Sequence, residues 1–131
     1  MKKTGLLNVD ISRVIASMGH QDMLAIADAG LPIPVSTERI DLAVRRGLPG
    51  FIDTVEAILA ELKVDKIILA EEMKSASPML YSSVLALFKG VPVEFISHED
   101  FKVRIGQAKA VVRTGEFSPY ANVILVSGVL F

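Results

Sequence analysis

The sequence has no cysteine and no tryptophan, and only two histidines occur among its 131 residues. Without cysteine, the chain cannot form a disulfide framework, a thiolate zinc site, an iron–sulfur cluster or a cysteine nucleophile. An excess of one charge is also missing, because 14 basic residues nearly balance 15 acidic ones. A nucleic-acid-binding protein normally carries a clear excess of positive charge, so this class is not favoured.

Long apolar runs are missing as well. No stretch approaches the ~20 apolar residues that a membrane-spanning helix needs, and Asn8 and Asp10 interrupt the first segment before a secretory signal could develop. We therefore expect a cytoplasmic protein with a single domain over residues 1–131. The mean hydropathy of +0.47 is high for so small a chain, which favours burial of apolar surface between subunits.

The sequence also lacks the common cofactor and nucleophile motifs. It has no G-x-G spacing, no phosphate-binding G-x-x-x-x-G-K-[ST], no G-x-S-x-G and no pair of histidines spaced for zinc. We expect neither a cofactor nor a metal ion. The G-x-x-G of Gly47-Leu48-Pro49-Gly50 resembles an RNA-backbone clamp, but the proline and the balanced charge favour a plain turn.

Apolar residues alternate between helical and strand spacing along most of the chain. Helical spacing predicts helices around residues 11–18, 51–62 and 80–88, with Asn8 or Asp10 capping the first and Ser97 opening a further short helix. Compact or alternating apolar runs predict strands over 23–27, 38–44, 65–72, 91–97, 109–115 and 122–131. Alternation of this kind predicts an α/β fold whose sheet is largely parallel and covered by helices.

Two polar positions flank the first predicted strand. His20 follows a predicted helix end, where it is either an exposed residue or a group for acid–base catalysis, since imidazole titrates near ~6.5. Asp28 follows the strand itself, and ligands of open α/β sheets bind at the carboxyl ends of strands. Asp28 therefore either caps the turn into Gly30 or binds a ligand.

A long loop and the second histidine add further candidates. Residues 114–122 combine aromatic rings, a carboxylate, hydroxyls and an amide, a mixture that suits a sugar but is also found in solvated loops. His98 stands at a predicted helix start, where the positive end of the helix dipole disfavours imidazolium. It is either a surface group of the first turn or a neutral hydrogen-bond partner.

Together these segments resemble the family of small bacterial sugar mutarotases, from the first residue to the last. The segments that carry the resemblance are Lys2-Lys3 to Leu7-Asn8, Gly19-His20, Ile26-Ala27-Asp28-Ala29-Gly30-Leu31-Pro32, Gly47-Leu48-Pro49, Ser97-His98-Glu99, Arg113-Thr114-Gly115-Glu116-Phe117, Pro119-Tyr120-Ala121-Asn122 and Gly128-Val129-Leu130-Phe131. None of these positions departs from the family's pattern.

The resemblance implies a fold, an activity and residue roles. The fold is a three-layer α/β sandwich that assembles into a ring-shaped homo-oligomer, a decamer of two pentamers, with the sugar at a junction between subunits. The activity is cofactor-free interconversion of the β-pyranose and furanose forms of D-ribose by acid–base ring opening. His20 matches the family's proton donor, and the sugar-binding positions match Asp28, His98, Tyr120, Ala121 and Asn122.

Spacing alone leaves the shape of this site open. An extended segment from His20 to Asp28 would span roughly 26 Å, which is too far for one small sugar to touch both. Either the chain bends near Gln21-Asp22 or two subunits contribute. Two other functions also remain: a mutarotase for a related sugar such as fucose, and a non-catalytic sugar-binding accessory of ribose uptake. A purely structural ring protein would leave these polar residues without a role.

Overall fold

The computed structural model describes residues 1–131 and shows a mixed α/β fold. Six strands form one sheet: β1 (Met23–Ala27), β2 (Glu38–Asp41), β3 (Val64–Ala70), β4 (Val93–Ile96), β5 (Ala110–Arg113) and β6 (Val123–Ser127). Five α-helices accompany it: α1 (Val9–Ser17), α2 (Phe51–Leu59), α3 (Met73–Ala76), α4 (Pro78–Leu87) and α5 (His98–Arg104). A short 3₁₀ helix, Ile105–Gln107, continues α5. No helix is both long enough and apolar enough to span a bilayer.

The strand order is β2-β5-β1-β6-β3-β4. Strands β2, β5 and β1 pair in parallel, as do β3 and β4, whereas β6 is antiparallel to both of its neighbours, β1 and β3. Five strands therefore share one direction, as predicted, and a single reversed strand lies among them. Apolar patterning did not predict this reversal, because a strand buried on both faces is a continuous apolar run in either direction.

The sheet has helices on both faces. The larger core cluster lies on the face covered by α1, α2 and α4, where Val14, Phe51 and Val84 are buried. A smaller cluster lies on the other face, where Phe101 of α5 and Ile105 of the 3₁₀ helix pack against Ala25 and Ile68. The layers are therefore helix, sheet and helix, as the resemblance implied.

Most predicted elements form with boundaries that shift by a few residues, and the short helix α3 was not predicted. Strand β1 covers the predicted residues, and the predicted caps form, with Asn8 accepting from the Ile11 N–H and Ser97 from the Asp100 N–H. Strand β6 is shorter than predicted and ends at Ser127. Just beyond it, the chain passes so close to Asp65 that a Cβ on Gly128 would overlap its carboxylate. The segment 45–50 is the predicted turn, closed by an Arg45–Leu48 bridge.

Candidate active site

The carboxyl ends of the parallel strands gather polar side chains at one edge of the sheet. Asp28 follows β1, Thr114 follows β5 and Ser97 follows β4. Because β6 is antiparallel to β1, its amino end lies at the same edge and places Asn122 beside Asp28. Asn122 thus reaches this edge from the residue before β6. The rule that ligands bind at the carboxyl ends of parallel strands does not predict such a position.

Asp28 and Asn122 form a reciprocal pair. The Asp28 N–H donates to Asn122 Oδ1 at 2.9 Å, and Asn122 Nδ2 donates to Asp28 Oδ2 at 3.0 Å. The Gly30 N–H donates to Asp28 Oδ1 at 2.9 Å. Asn122 is fully buried, so the pair is shielded from water on that side. Asp28 thus caps the turn into Gly30 and also presents a fixed carboxylate, with free lone pairs on both oxygens.

The loop before β6 holds Tyr120 in an unusual conformation. Its φ of +60° lies in the left-handed region, which costs a bulky residue about 1–3 kcal/mol. Three hydrogen bonds hold this loop: from Asn122 N–H to the Tyr120 carbonyl at 2.8 Å, from Ala121 N–H to the Ser118 carbonyl at 3.3 Å, and from Ser77 Oγ to the Pro119 carbonyl at 2.7 Å. Strain maintained by surrounding bonds is typical of functional sites.

His98 is the first residue of α5 and is not a free surface group. Its ring meets the edge of Tyr120, with ring centres 4.9 Å apart, and stacks on Phe101 at 6.5 Å. Its Nδ1 atom is buried and has no hydrogen-bond partner. The backbone N–H of His98 donates to the Glu72 carboxylate at 2.9 and 3.2 Å.

These residues surround one cavity of about 310 Å³. Its lining includes Asp28, Gly30, His98 and Tyr120. A second cavity of about 390 Å³ lies on the other side of Asp28 and is lined by Arg113, Glu116 and Phe117. Asp28 therefore stands between two openings, either large enough for a monosaccharide.

Glu116, which lines the second cavity, caps the N-terminus of helix α2 from a distant part of the sequence. Gly50 occupies the N-cap position of α2 and has no side chain to accept from the helix. Glu116 Oε1 accepts from the Phe51 N–H at 3.1 Å instead, and Glu116 Oε2 accepts from Ser118 Oγ at 2.9 Å. Burial raises the pKa of Glu116, but these hydrogen bonds outweigh it, so the pKa lies below its usual value.

His20 lies at the opposite edge of the sheet. It precedes β1, its side chain is 54% exposed, and its Nε2 atom is 3.7 Å from Asp65 Oδ2. The chain does bend before the strand, since Gln21 has a φ of +69°, but His20 still lines a separate cavity of about 440 Å³ that contains neither Asp28 nor His98. One chain therefore brings together Asp28, His98, Tyr120 and Asn122 and leaves His20 apart.

Two structural residues of the site were not predicted, Glu72 and the capping role of Glu116. Each acts on a backbone N–H far away in sequence, so no local motif identifies it. The only available signal was indirect: Gly50 stands where α2 needs a capping side chain.

Comparisons with known proteins give a consistent result. Residues 1–130 match the model of the RbsD / FucU transport protein family. A D-ribose pyranase of Clostridium perfringens (strain SM101 / Type A) is 56% identical over 131 residues, 100% of both chains. The structure of Bacillus subtilis RbsD complexed with D-ribose matches with a TM-score of 0.97 and 46% identity over 100% of both chains. The fucose mutarotase of Streptococcus pneumoniae in complex with L-fucose matches with a TM-score of 0.81 and 25% identity, over 95% of this chain and 94% of the other.

Proposed function

The chain belongs to the RbsD / FucU transport protein family, and from this we propose that it is an isomerase that interconverts the β-pyranose and furanose forms of D-ribose, and their anomers. The observation that carries the proposal is the 56% identity to a D-ribose pyranase over the whole length of both chains. The relative with 46% identity has D-ribose bound in a structure that superimposes on this one with a TM-score of 0.97.

Ring opening needs two proton movements and no change of oxidation state. The anomeric hydroxyl loses its proton, its oxygen forms a carbonyl with C1, and the bond between C1 and the ring oxygen breaks. The ring oxygen takes a proton. Closure reverses these steps through the same hydroxyl, which changes the anomer, or through the neighbouring hydroxyl, which changes the ring size. General acid–base assistance contributes about 10² to 10⁴ in rate.

We assign His20 as the proton donor and Asp28 as the anchor of the sugar. Each Asp28 oxygen accepts one hydrogen bond within the protein and keeps a lone pair for a sugar hydroxyl. His98 and Tyr120 line the same cavity, and Asn122 holds the Asp28 carboxylate. The Ala121 backbone is assigned to sugar binding as well, because its position matches the family's sugar-binding pattern. Fixing the sugar against these groups lowers the entropic part of the barrier.

We further propose that two subunits complete the site, in a ring-shaped homo-oligomer, a decamer of two pentamers. The separation of His20 from Asp28 supports this, because the two line different cavities of one chain. Exposed apolar residues support an assembly too: Leu130 is 88% and Phe131 105% exposed, and Val103 is 76% exposed. Leu130 and Phe131 are adjacent in sequence, and contiguous exposed apolar surface is typical of contacts with a partner.

The activity is tested by NMR saturation transfer between the ring forms of ribose, with and without the protein. Acceleration of the pyranose–furanose exchange is the expected result. The same measurement on fucose sets the sugar preference, and faster exchange of fucose than of ribose would assign the chain to the related mutarotases instead.

The shared site is tested by mixing two inactive variants. Co-expressed His20→Ala and Asp28→Asn subunits, purified as mixed oligomers by two different tags, should regain about a quarter of the wild-type sites if each site takes one residue from each of two chains. No recovery would place both residues in a site within one chain. Native mass spectrometry of the same samples tests the decamer.

A second candidate function is a non-catalytic ribose-binding accessory of uptake. The description of the matched family as a transport protein family favours it. Saturable ribose binding without any acceleration of exchange would support the accessory and contradict the isomerase. The cytoplasmic location expected from the sequence is part of this proposal, and cell fractionation tests it.

A further inference from the structure

One buried polar atom has no partner in this structure, and it belongs to the candidate site. His98 Nδ1 is the only buried side-chain nitrogen or oxygen without a hydrogen bond. The ring is enclosed by Tyr120 at one edge and by Phe101 on a face. Neither aromatic ring offers a carbonyl or carboxylate oxygen that could accept a proton from Nδ1.

The absence of a partner for Nδ1 favours one tautomer of the His98 imidazole. A neutral imidazole carries one N–H and one lone pair, and only the N–H must find an acceptor to avoid a large desolvation cost. Placing the proton on Nδ1 would bury an unpaired donor, whereas a buried lone pair is tolerated more easily. The proton therefore belongs on Nε2, which has no partner in the chain and is not buried. Nε2 is thus the only polar ring atom that can reach a ligand in the cavity.

Glu72 fixes where that donor stands. Strands β3 and β4 pair in parallel, with Ala70 opposite Ile96, so the residues just beyond them lie side by side. Both oxygens of the Glu72 carboxylate lie within hydrogen-bond distance of the His98 backbone N–H, at 2.9 and 3.2 Å. The Glu72 carboxylate thereby holds the backbone of His98 in place at the start of α5. No contact of Glu72 with the cavity is seen, so it acts through His98.

The cavity then has two complementary polar groups. Asp28 offers carboxylate lone pairs, which accept, and His98 offers Nε2–H, which donates. A sugar hydroxyl can do both, donating to Asp28 while accepting from His98. A phosphate or carboxylate group can accept but would be repelled by Asp28. The cavity is therefore selective for neutral polyhydroxy ligands.

We propose that Glu72 is the positioning residue of His98 and holds its ring so that the neutral imidazole donates from Nε2 to a sugar oxygen. This inference rests on the proposed function, because it takes the ligand of the cavity to be a sugar. It goes further in naming the nitrogen that donates and the residue that places it.

The tautomer is measured without any assay of activity. Long-range ¹H–¹⁵N spectra of the full-length protein at about pH 8, where imidazole is neutral, give separate shifts for the two ring nitrogens. We expect a protonated, pyrrole-type Nε2 and an unprotonated, pyridine-type Nδ1 for His98, both before and after addition of ribose. A pyrrole-type Nδ1 in the ribose complex would overturn the inference.

Two substitutions test the donor atom. The amide nitrogen of His98→Gln lies close to the position of Nε2, whereas that of His98→Asn lies close to Nδ1. The Gln variant should keep ribose affinity within a few-fold, and the Asn variant should lose about tenfold, the equivalent of one hydrogen bond. Equal affinity of the two variants would overturn the proposal. Failure of the proposed function looks different, since the wild-type protein itself would then neither bind ribose nor accelerate exchange.

The positioning role is tested by two changes at Glu72 and one next to it. Glu72→Gln keeps an acceptor oxygen at full reach and should keep ribose affinity. Glu72→Asp keeps the charge but is one methylene shorter, and it should weaken ribose binding several-fold and shift the His98 backbone amide signal, with the exchange rate at saturating ribose little changed. Glu71→Asp is the matched control, because the Glu71 side chain is exposed and its carboxylate pairs with Lys74 and not with His98. A Glu72→Asp variant that behaves like Glu71→Asp would overturn the role of Glu72.

Discussion

The two ends of strand β1 are built differently, although we assign a residue of the reaction to each. At the carboxyl end, Asp28 is held by Asn122 and by the Gly30 N–H, and Asn122 and Thr114 are fully buried. At the other end, His20 is 54% exposed, and its one charged neighbour, Asp65, is 41% exposed. One end is organised by buried hydrogen bonds, and the other is open to solvent.

This difference indicates how binding and chemistry are divided. Buried hydrogen bonds fix geometry, because breaking any one leaves an unsatisfied group. An exposed imidazole is not fixed in this way and gains its environment only when another surface covers it. A single chain thus forms the cavity around Asp28 without His20, and in the proposed assembly a second chain would bring the proton donor to it.

His20→Ala should give the largest effect. Loss of the proposed proton donor should slow the enzyme-dependent exchange of ribose ring forms by about 10² to 10⁴, as measured by NMR saturation transfer. Because His20 is half-exposed and makes no hydrogen bond within its chain, thermal stability and ribose affinity should remain close to wild type. Unchanged exchange in this variant would remove His20 from the mechanism and end the proposed division between the two ends.

Asn122→Ala should affect the binding end, and it should affect stability as well. The substitution leaves the Asp28 N–H and one carboxylate oxygen without partners. We expect a loss of about 1–3 kcal/mol in the free energy of unfolding, measured by urea denaturation, and ribose binding weakened by roughly tenfold.

Ser127→Ala is the matched control, since Ser127 is a buried polar residue at the other end of the same strand. Its hydroxyl has only a 3.5 Å contact with the Gly128 carbonyl, so its loss should cost less than about 1 kcal/mol. Equal losses in the two variants would mean that the two ends do not differ in rigidity.

The same contrast explains what could be predicted from the sequence. Strand β1 and the stripes of α1 and α2 follow from apolar periodicity, because each buries one recognisable face or run. Asp28 follows from the general position of ligands at strand ends. The reversed direction of β6, which places Asn122 beside Asp28, could not be predicted, because its sequence is apolar throughout and would be the same in either direction.

The candidate site shows the same limit. The resemblance supplied His20, His98, Tyr120, Ala121 and Asn122 together, and their roles stay predictions. Residue types and spacing did not show that His20 lies away from Asp28, since a bend and a second subunit were both open. Glu72 was missed because its partner is a backbone N–H 26 positions away, and no side-chain pattern encodes such a contact.

Glu116→Gln should reveal a pH-dependent contribution from the binding end. Burial raises the pKa of Glu116, but hydrogen bonds from Phe51 and Ser118 lower it by more than burial raises it. The pKa therefore lies below 4.5. A lowered folded-state pKa gives stability that is present above the unfolded value and lost as the pH falls through the folded one. The wild type should therefore be more stable than Glu116→Gln at about pH 7, and the difference should shrink as the pH falls below 4.5.

Glu99→Gln is the control for this measurement. The pKa of Glu99 is also lowered, by a hydrogen bond from Lys102, but the carboxylate is exposed to solvent. Its substitution should change stability little at any pH, and added salt should remove what change there is. A pH-independent difference between wild type and Glu116→Gln would show that the cap works through shape and not through charge.

Asp65→Asn should give the smallest effect, and it tests the open end directly. The carboxylate lies 3.7 Å from His20 Nε2, but both side chains are well exposed and Lys63 also pairs with Asp65 at 2.9 Å. Exposed pairs contribute about 0–1 kcal/mol, so the exchange rate should fall by no more than a few-fold, and high salt should reduce the difference. A loss as large as that of His20→Ala, unaffected by salt, would mean that assembly buries the pair. His20 would then be held as firmly as Asp28, and the two ends of β1 would differ only in a chain outside the assembly.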